Sequence, residues 1–385
     1  MPSAVIVDAV RTPVGRRNGR LSGWHAVDLA AQPLRALAER NDLDPALIED
    51  VITGCTMTVG EQAMNIGRNA VLAAGFPDTV PGTTVDRQCG SAQQAVHFAA
   101  QAVMSGAMDI VIGAGIESMS RVPIGSTTEP GPGEAYGPTV LRRYDFIHQG
   151  MSAEEIARRW NVSRDEMDAF ALESHRRAAA AHDGGHFADE IVPLRSPGPD
   201  GDDELGFDEG VRRNSTLERL GALTPAFAAD GTITAGTSSQ ISDGAAAVLV
   251  MSEERAKSLG LRPRARFHTF AVAANDPVIM LTAVIPATIL ALEKAKMTID
   301  DIDVIEINEA FASVVLAWER ELHPDMAKVN PNGGAIAIGH PTGCSGARIM
   351  ATLVNELERT GGRYGLQTMC EGGGQANATI IERLD

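Results

Sequence analysis

Residues 43–55, LDPALIEDVITGC, resemble residues 297–311, MTIDDIDVIEINEAF. Each stretch contains an apolar, strand-like run, and each is followed by a glycine-rich turn, a helix of small and aliphatic residues and a short strand. The two stretches lie roughly 250 residues apart, which is far longer than the period of a solenoid repeat. The chain is therefore predicted to be a duplicated α/β domain whose halves place equivalent strand-to-helix corners against each other.

Other segments extend the same pattern outward from this pair. Strand-like runs, such as AVIVDAV at 4–10 and DIVIGAG at 109–115, alternate with helical patterns such as DLAAQPLRALAER at 28–40. This alternation predicts a mostly parallel sheet. At 385 residues, of which 44% are hydrophobic, the chain can bury a large core and form two or three domains.

A change of composition near Met119 divides the chain. The stretch 121–138 is rich in Pro, Gly and Ser, and it precedes two charged amphipathic helices, at 152–160 and 163–182, and an acidic loop at 196–210. These residues are predicted to be an insertion between two strands of one domain. The predicted parts are a first half (1–117 with 243–265), an inserted segment (118–242) and a second half (266–385).

The composition also excludes several classes of function. A net charge of −17, with no basic run, argues against a nucleic-acid partner. No run approaches the roughly 20 apolar residues of a membrane helix, and the first residues lack a signal-peptide pattern, so a cytoplasmic protein is expected. The four cysteines, Cys55, Cys89, Cys344 and Cys370, form no CxxC motif and no metal-ligand spacing with histidine, so reduced thiols and no metal site are expected.

Two of the cysteines are candidates for chemistry. Cys89, in QCGSA, lies where a strand-like segment gives way to a helix that is expected to be buried on nearly all sides. Helix-start N–H groups should lower the pKa of its thiol and favour the thiolate, although a free cysteine is more often a small core residue. Cys370 ends a strand before three glycines, Gly372–Gly374, which form either an oxyanion hole or a simple tight turn.

Two further segments carry polar candidates. His340 lies in GGAIAIGHPTGCSG, a turn that would hold an imidazole rigidly before another helix, although a histidine satisfied within a loop is the common alternative. Asn308 and Glu309 lie in EINEAF between a strand and a helix. Either could be a helix cap, and Asn308 could equally orient a water molecule.

Taken together, these segments resemble the thiolase family, the acyl-CoA acetyltransferases. The resemblance covers essentially the whole chain through VDAVRTPVG, QCGSA, GIESMS, TAGTSSQISDGAAAVL, NEAFA, GGAIAIGHPTGCSG and CEGGG, in this order. It implies an α/β thiolase fold, in which duplicated βαβαβαββ halves form five αβαβα layers and an inserted loop domain covers coenzyme A. It also implies a homodimer or homotetramer, no permanently bound cofactor, and coenzyme A and 3-oxoacyl-CoA as substrates.

The resemblance further implies roles for individual residues. Cys89 would be the acylated nucleophile, His340 its activator and Cys370 the acid/base thiol. Asn308 would hold a water that polarises the thioester oxygen together with His340, and the N–H groups of Cys89 and Gly372 would form a second oxyanion hole.

Coenzyme A would lie along the inserted segment. Ser239 matches the serine that contacts the pantetheine arm, His148 matches a histidine near the acyl end, and Gln149 stands where many relatives have methionine. Arg212 and Arg213 are candidates for the phosphates of coenzyme A, or else a solvated pair in a loop.

Three functions follow from this resemblance. Gln240, in SSQISDGA, is more typical of degradative 3-ketoacyl-CoA thiolases, and TSSQISDGAAAVL and NEAFASVVL are similar to thiolases that shorten steroid side chains. The first hypothesis is therefore thiolytic cleavage in β-oxidation, and the second is condensation of two acetyl-CoA molecules by the same residues. A catalytically silent CoA-binding scaffold is the third, and the intact Cys89, His340 and Cys370 count against it.

Overall fold

The computed structural model describes residues 2–129, 131, 133–195 and 204–385. The predicted acidic loop therefore lies partly outside the described residues, from 196 to 203. No helix in the described ranges is long and apolar enough to cross a membrane.

The first part of the chain alternates strands and helices. Its elements are β1 (Ala4–Arg11), β2 (Gly15–Arg16), α1 (Ala26–Arg40), β3 (Asp50–Gly54), α2 (Ile66–Ala73), β4 (Gly82–Val85), α3 (Ser91–Ser105) and β5 (Ile110–Ser118), with 3-10 turns at Pro45–Leu47 and Gly60–Gln62.

A mainly helical segment leaves the sheet after β5 and returns to it at β8. It contains α4 (Pro138–Leu141), α5 (Gln149–Arg159), α6 (Arg164–Asp183), β6 (Leu194–Arg195), β7 (Glu204–Leu205) and α7 (Leu217–Gly221). The helices α5 and α6 match the two predicted amphipathic helices, and a capping box between Ser163 and Glu166 fixes the start of α6.

The rest of the chain completes the first half with β8 and then repeats its pattern from β9 onward. Its elements are β8 (Ser242–Ser252), α8 (Glu253–Ser258), β9 (Ala265–Ala274), α9 (Val284–Ala295), β10 (Val304–Ile307), α10 (Ala312–Leu322), α11 (Ser345–Thr360), β11 (Tyr364–Glu371) and β12 (Gln375–Arg383), with 3-10 turns at Leu281–Ala283 and Ile299–Asp301.

The two halves have the same strand order, which confirms the duplication. Within the described residues the order across one ten-stranded sheet is β10-β11-β12-β9-β1-β8-β5-β3-β4, with β2 paired to β8. The half-sheet β9-β12-β11-β10 thus mirrors β1-β8-β5-β3, and a single bridge between Ile305 and Val329 stands where the first half has β4. A short antiparallel pairing of Val5 and Ile6 with Arg266 and Ala265 joins the halves.

The prediction of a mostly parallel sheet is wrong, because the sheet is mixed. The strand β3 pairs in parallel with β4 and β5, and β10 pairs in parallel with β11. The pairs β1–β8, β5–β8, β9–β12 and β11–β12 are antiparallel. The last two strands of each half are β5 with β8 and β11 with β12. No crossover helix packs on the sheet between them, which favours antiparallel pairing.

Helices cover both half-sheets and fill the space between them. The outer helices α1 and α2 pack on the first half-sheet, and α9 and α10 pack on the second. The helices α3 and α11 share one core with β1, β8 and β9 in the middle of the molecule. This arrangement confirms the five predicted layers and directs the starts of α3 and α11 toward a common region.

The two middle helices owe this position to their composition. The apolar face of α11, Ile349 to Leu357, is buried, and so are Ala92, Ala95, Val96, Ala99 and Ala100 of α3. Phe98 is 41% exposed, so α3 is buried on most of its surface rather than on nearly all sides. Small side chains on α3 allow close packing of the middle layer.

Candidate active site

One cavity brings together the predicted site residues of both halves and the inserted segment. It has a volume of about 920 Å³ and is lined by Cys89, His340 and Cys370, with His148, Ser239 and Arg212 further along its wall. Asn308 reaches the same place through a hydrogen bond to His340. A nucleophilic thiol, an imidazole and a second thiol therefore face one space large enough for a small-molecule substrate.

Cys89 lies in the tight turn between β4 and α3. The preceding residue, Gln88, has a φ of 49°, so the backbone turns sharply here and leaves Cys89 half-buried at the cavity wall. Burial of the thiol and the nearby Glu371 and Glu117 together raise the pKa of Cys89 to about 12, against the N–H groups of Gly372 and of Cys89 itself, which lower it. The predicted lowered pKa is therefore wrong, since burial and two acidic neighbours outweigh the N–H groups.

His340 is held in a fixed orientation by the turn before α11. Gly339 has a φ of 119°, and a side chain there would clash with Ser242, so only glycine fits. The Ser345 hydroxyl donates to the carbonyl of Pro341 at 2.9 Å and lies 2.6 Å from Nδ1 of His340. Ser345 must then accept from Nδ1–H, which leaves the Nε2 lone pair available as a base.

The surroundings keep this imidazole neutral. Burial, with a smaller effect of Arg348, lowers the pKa of His340 to about 3. With the thiol protonated and the histidine neutral, the resting site does not hold a thiolate–imidazolium pair. The neutral imidazole is able to accept a proton.

Asn308 stands beside the imidazole. Its Nδ2 lies 3.4 Å from Nε2 of His340, and its buried Oδ1 has no hydrogen-bond partner among the described residues. A buried amide oxygen without a partner is costly, so this atom is suited to accept a hydrogen bond from a water or a substrate.

Glu309 is not a helix cap, because α10 begins three residues later with Phe311 at its N-cap. The Glu309 carboxylate instead accepts hydrogen bonds from Ser174, Asn330 and the N–H of Ile336. It thereby ties α6 to the segment that leads to His340.

Cys370 and the glycine turn complete the cavity wall. The turn joins β11 to β12, and Gly373 and Gly374 have φ values of 78° and 79°, which explains their identity. The N–H of Gly372 points to the Cys89 thiol, and Cys370 is close enough to Cys89 for a negative charge on the Cys89 thiol to raise the pKa of Cys370. Burial raises the pKa of Cys370 as well.

A positively charged groove continues from the cavity toward the surface. Arg212 lines both the cavity and a smaller pocket of about 340 Å³, which is also lined by Arg213 and Arg219. Arg213 is paired with Asp183 at 2.8 Å on the surface. His148 accepts from the N–H of Gly150, and its ring lies against Phe227, with centroids 5.3 Å apart.

Family models match nearly all of this chain. The thiolase N-terminal domain matches residues 4–254, and the thiolase C-terminal domain matches residues 261–383. The chain belongs to the thiolase family. It is an acyltransferase, and thiolases act on acyl-CoA substrates.

Individual relatives agree with this assignment. The thiolase is 53% identical to the steroid 3-ketoacyl-CoA thiolase FadA6 of Mycobacterium tuberculosis, in an alignment that covers 100% of this chain and 95% of that protein. It is 47% identical to a 3-ketoacyl-CoA thiolase of Cronobacter sakazakii, with full coverage of both. Its fold matches the crystal structure of the Bacillus anthracis acetyl-CoA acetyltransferase with a TM-score of 0.92 at 39% identity, covering 100% of this chain and 99% of that one.

Besides Glu209, which lines the cavity, sequence reasoning missed four charged residues of this thiolase site. Arg16 and Arg17 line the cavity, and the only signal for them is a pair of arginines soon after the first strand. Glu371 lies fully buried against Gly90, with neither carboxylate oxygen hydrogen-bonded within the described part of the chain. Burial raises the pKa of Glu371 to about 8, against the effect of Arg87. Glu117 is the fourth, and its contacts are described below.

The described part of the thiolase contains no group of three or more His, Cys, Asp or Glu side chains arranged to hold a metal ion. The titratable side chains that line the cavity include those of Cys89, His340 and Cys370, and Glu371 lies behind them.

Proposed function

We propose that this thiolase cleaves a 3-oxoacyl-CoA with coenzyme A, releasing acetyl-CoA and a shortened acyl-CoA through an acyl-Cys89 intermediate. The observation that carries the proposal is the convergence of Cys89, His340 and Cys370 on one cavity that continues to Arg212. The names of the relatives, 3-ketoacyl-CoA thiolase and steroid 3-ketoacyl-CoA thiolase, support the degradative direction.

In the first step, Cys89 attacks the 3-keto carbon of the substrate. The lone pair on Nε2 of His340 accepts the thiol proton, because the raised pKa of Cys89 keeps the thiol protonated until attack. The thioester oxygen lies toward Asn308 and His340, where the unpartnered Oδ1 supports a bound water.

In the second step, the bond between C2 and C3 breaks. The electron pair stays on C2 as the enolate of acetyl-CoA, and Cys370 donates its proton to that carbon. A thiol suits this role since its partner in the next step, coenzyme A, is also a thiol.

In the third step, the Cys370 thiolate takes the proton of coenzyme A, and the new thiolate attacks the acyl-Cys89 thioester. The N–H groups of Gly372 and Cys89 stabilise the oxyanion, in keeping with their positions beside the Cys89 sulfur. His340 then returns its proton to the departing Cys89, which restores the free enzyme.

The rest of the cavity would hold coenzyme A, as a substrate and not as a permanent cofactor. Ser239 would contact the pantetheine arm, His148 would lie near the acyl end, and Arg212 with Arg213 would bind the phosphates. The pairing of Arg213 with Asp183 makes Arg212 the stronger candidate of the two. Residues 118–242 would act as the loop domain that covers coenzyme A, between halves formed by 1–117 with 243–265 and by 266–385.

A second candidate function is the condensation of two acetyl-CoA molecules. The similarity to an acetyl-CoA acetyltransferase at 39% identity favours it, and it would use the same residues in reverse. The two directions differ in the acyl group that the cavity accepts.

The test compares kcat/KM for 3-oxoacyl-CoAs of increasing length and bulk, including one with a steroid-like ring system, with coenzyme A in excess. We expect the larger substrates to be preferred. Preference for acetoacetyl-CoA alone would favour the condensing enzyme, and turnover of none would favour a silent scaffold. Intact mass after substrate without coenzyme A should show an acyl adduct on Cys89.

We also propose that the thiolase is a cytoplasmic homodimer or homotetramer. The strand β4 ends the ten-stranded sheet, and Met64 near it is 88% exposed, so this edge is open to pairing with a second copy. Light scattering after gel filtration gives the mass directly, and a monomer would contradict the proposal.

A further inference from the structure

Glu117 lies at the end of β5, fully buried, and receives five hydrogen bonds from N–H and O–H groups, besides a long one of 4.0 Å from the Cys55 thiol. Its Oε2 accepts from Thr56 N at 3.0 Å, and from Thr342 Oγ1 and Gly343 N at 2.8 Å each. Its Oε1 accepts from Met57 N at 3.1 Å and Gln62 Nε2 at 2.6 Å. All five donors are neutral, so hydrogen bonds alone satisfy this buried charge.

These donors come from both halves of the molecule. Thr342 and Gly343 belong to the turn that carries His340, whereas Thr56, Met57 and Gln62 follow β3 in the first half. The Thr56 hydroxyl donates to the carbonyl of Gln88 at 3.0 Å, and Gln88 is the residue before Cys89. A continuous set of short contacts therefore runs from the Cys89 turn through Thr56 and Glu117 to the His340 turn.

We propose that Glu117 is a positioning residue that sets the placement of His340 relative to Cys89 across the two halves. This inference rests on the proposed function, because it concerns the base and the nucleophile of the acylation step.

The negative charge of this carboxylate does not by itself explain a role in acylation. A negative charge at Glu117 opposes ionisation of Cys89 and raises the pKa of its thiol. If Glu117 acted only through its charge, neutralising it would ease attack by Cys89. The positioning role predicts the opposite result, so the two explanations are separable by one substitution.

The substitution Glu117→Gln keeps the shape of the side chain but not its hydrogen bonding. Whichever way the amide turns, its NH₂ group meets a backbone N–H, either that of Met57 or those of Thr56 and Gly343. At least one of the hydrogen bonds to this side chain must therefore be lost, on the side of Met57 or on the side of Thr56 and Gly343.

The experiment measures single-turnover acylation of Cys89 by intact mass, at saturating 3-oxoacyl-CoA and without coenzyme A. We expect Glu117→Gln to slow acylation by about 100-fold, since small displacements of a base have effects of this size, while the KM changes less than threefold. Thr342→Val, which removes one donor, should slow acylation by about 10-fold. Thr342→Ser, which keeps the hydroxyl, should restore the wild-type rate.

Glu154→Gln is the matched control. Glu154 also accepts backbone N–H groups, from Thr232 and Ile233, but it touches neither catalytic turn. It should lower the unfolding temperature without slowing acylation.

Acylation in Glu117→Gln at or above the wild-type rate would overturn the inference. If Glu117→Gln does not fold, Thr342→Val decides, and a wild-type rate there has the same meaning. Failure of the wild-type protein to form the Cys89 adduct would instead overturn the proposed function.

Discussion

The two middle helices, α3 and α11, begin in a similar way, but the cysteines that precede them have different surroundings. Each starts at a serine, Ser91 or Ser345, and each ends at a glycine with positive φ. Cys89 precedes α3 by two residues and lines the cavity, whereas Cys344 directly precedes α11 and is 1% exposed. A position at a helix start is therefore not enough to predict a reactive cysteine. The side chain must also face the cavity and a base.

The largest effect should come from removing one thiol or the other. We expect Cys89→Ala to reduce turnover by about 10,000-fold or more, since the proposed acyl intermediate forms on this thiol. Cys344→Ala should leave kcat within about threefold and lower stability by about 1 kcal/mol through a small cavity. Steady-state kinetics and intact mass measure both, and an acyl adduct on Cys344 would break the comparison.

The next largest effect should come from His340, which the turn before α11 places in the cavity. We expect His340→Gln to slow acylation by about 1,000-fold, as for the loss of a general base. In the wild-type protein the pKa of His340 is lowered to about 3, so the imidazole stays unprotonated as pH falls from 8 to 5. Single-turnover acylation should therefore show no titration step near pH 6.5, and a half-maximal rate near that pH would contradict the buried, neutral histidine.

A smaller effect should follow from changing the neighbour of this histidine. We expect Asn308→Ala to lower kcat by about 100-fold, because the unpartnered Oδ1 would no longer order a water at the thioester oxygen. Asn355→Ala, in the buried side of α11 away from the cavity, is the control and should affect stability only. Equal kcat losses in the two variants would mean that Asn308 merely supports the fold.

The smallest effect concerns the carboxyl group beside the start of α3. The pKa of Glu371 is raised to about 8 by burial, so its contribution to stability is full below about pH 4.5 and is lost as pH rises through 8. Glu371→Gln should therefore gain stability relative to the wild type between pH 6 and pH 9, by an amount on the order of a few kcal/mol. Urea unfolding at these two pH values measures the gain, and parallel pH dependences would contradict it.

Much of the fold could be predicted because the duplication is visible in short, similar stretches of sequence. The resemblance of 43–55 to 297–311 corresponds to a 3-10 turn followed by β3 in one half and by β10 in the other. Strand direction could not be predicted this way, since whether β5 pairs with β8 in parallel depends on how the chain returns from the segment between them.

The site divides in a similar way. Cys89, His340, Cys370 and Asn308 could be named from short motifs, and the structure brings them to one place. The raised pKa of Cys89 could not be predicted, because burial of the thiol and the approach of Glu371 and Glu117 depend on tertiary packing. The five contacts of Glu117 are hidden for the same reason, as two of its donors lie more than 200 residues further along the chain.

The joining of β1 to β9 has a consequence for how the chain matures. Only two residue pairs connect the half-sheets there, and Cys89 and His340, the proposed nucleophile and base, belong to different halves. Contacts of such long sequence separation form late in folding. A growing chain carries Cys89 before His340 has been added, so the proposed acylation chemistry has to wait until the two halves pack together.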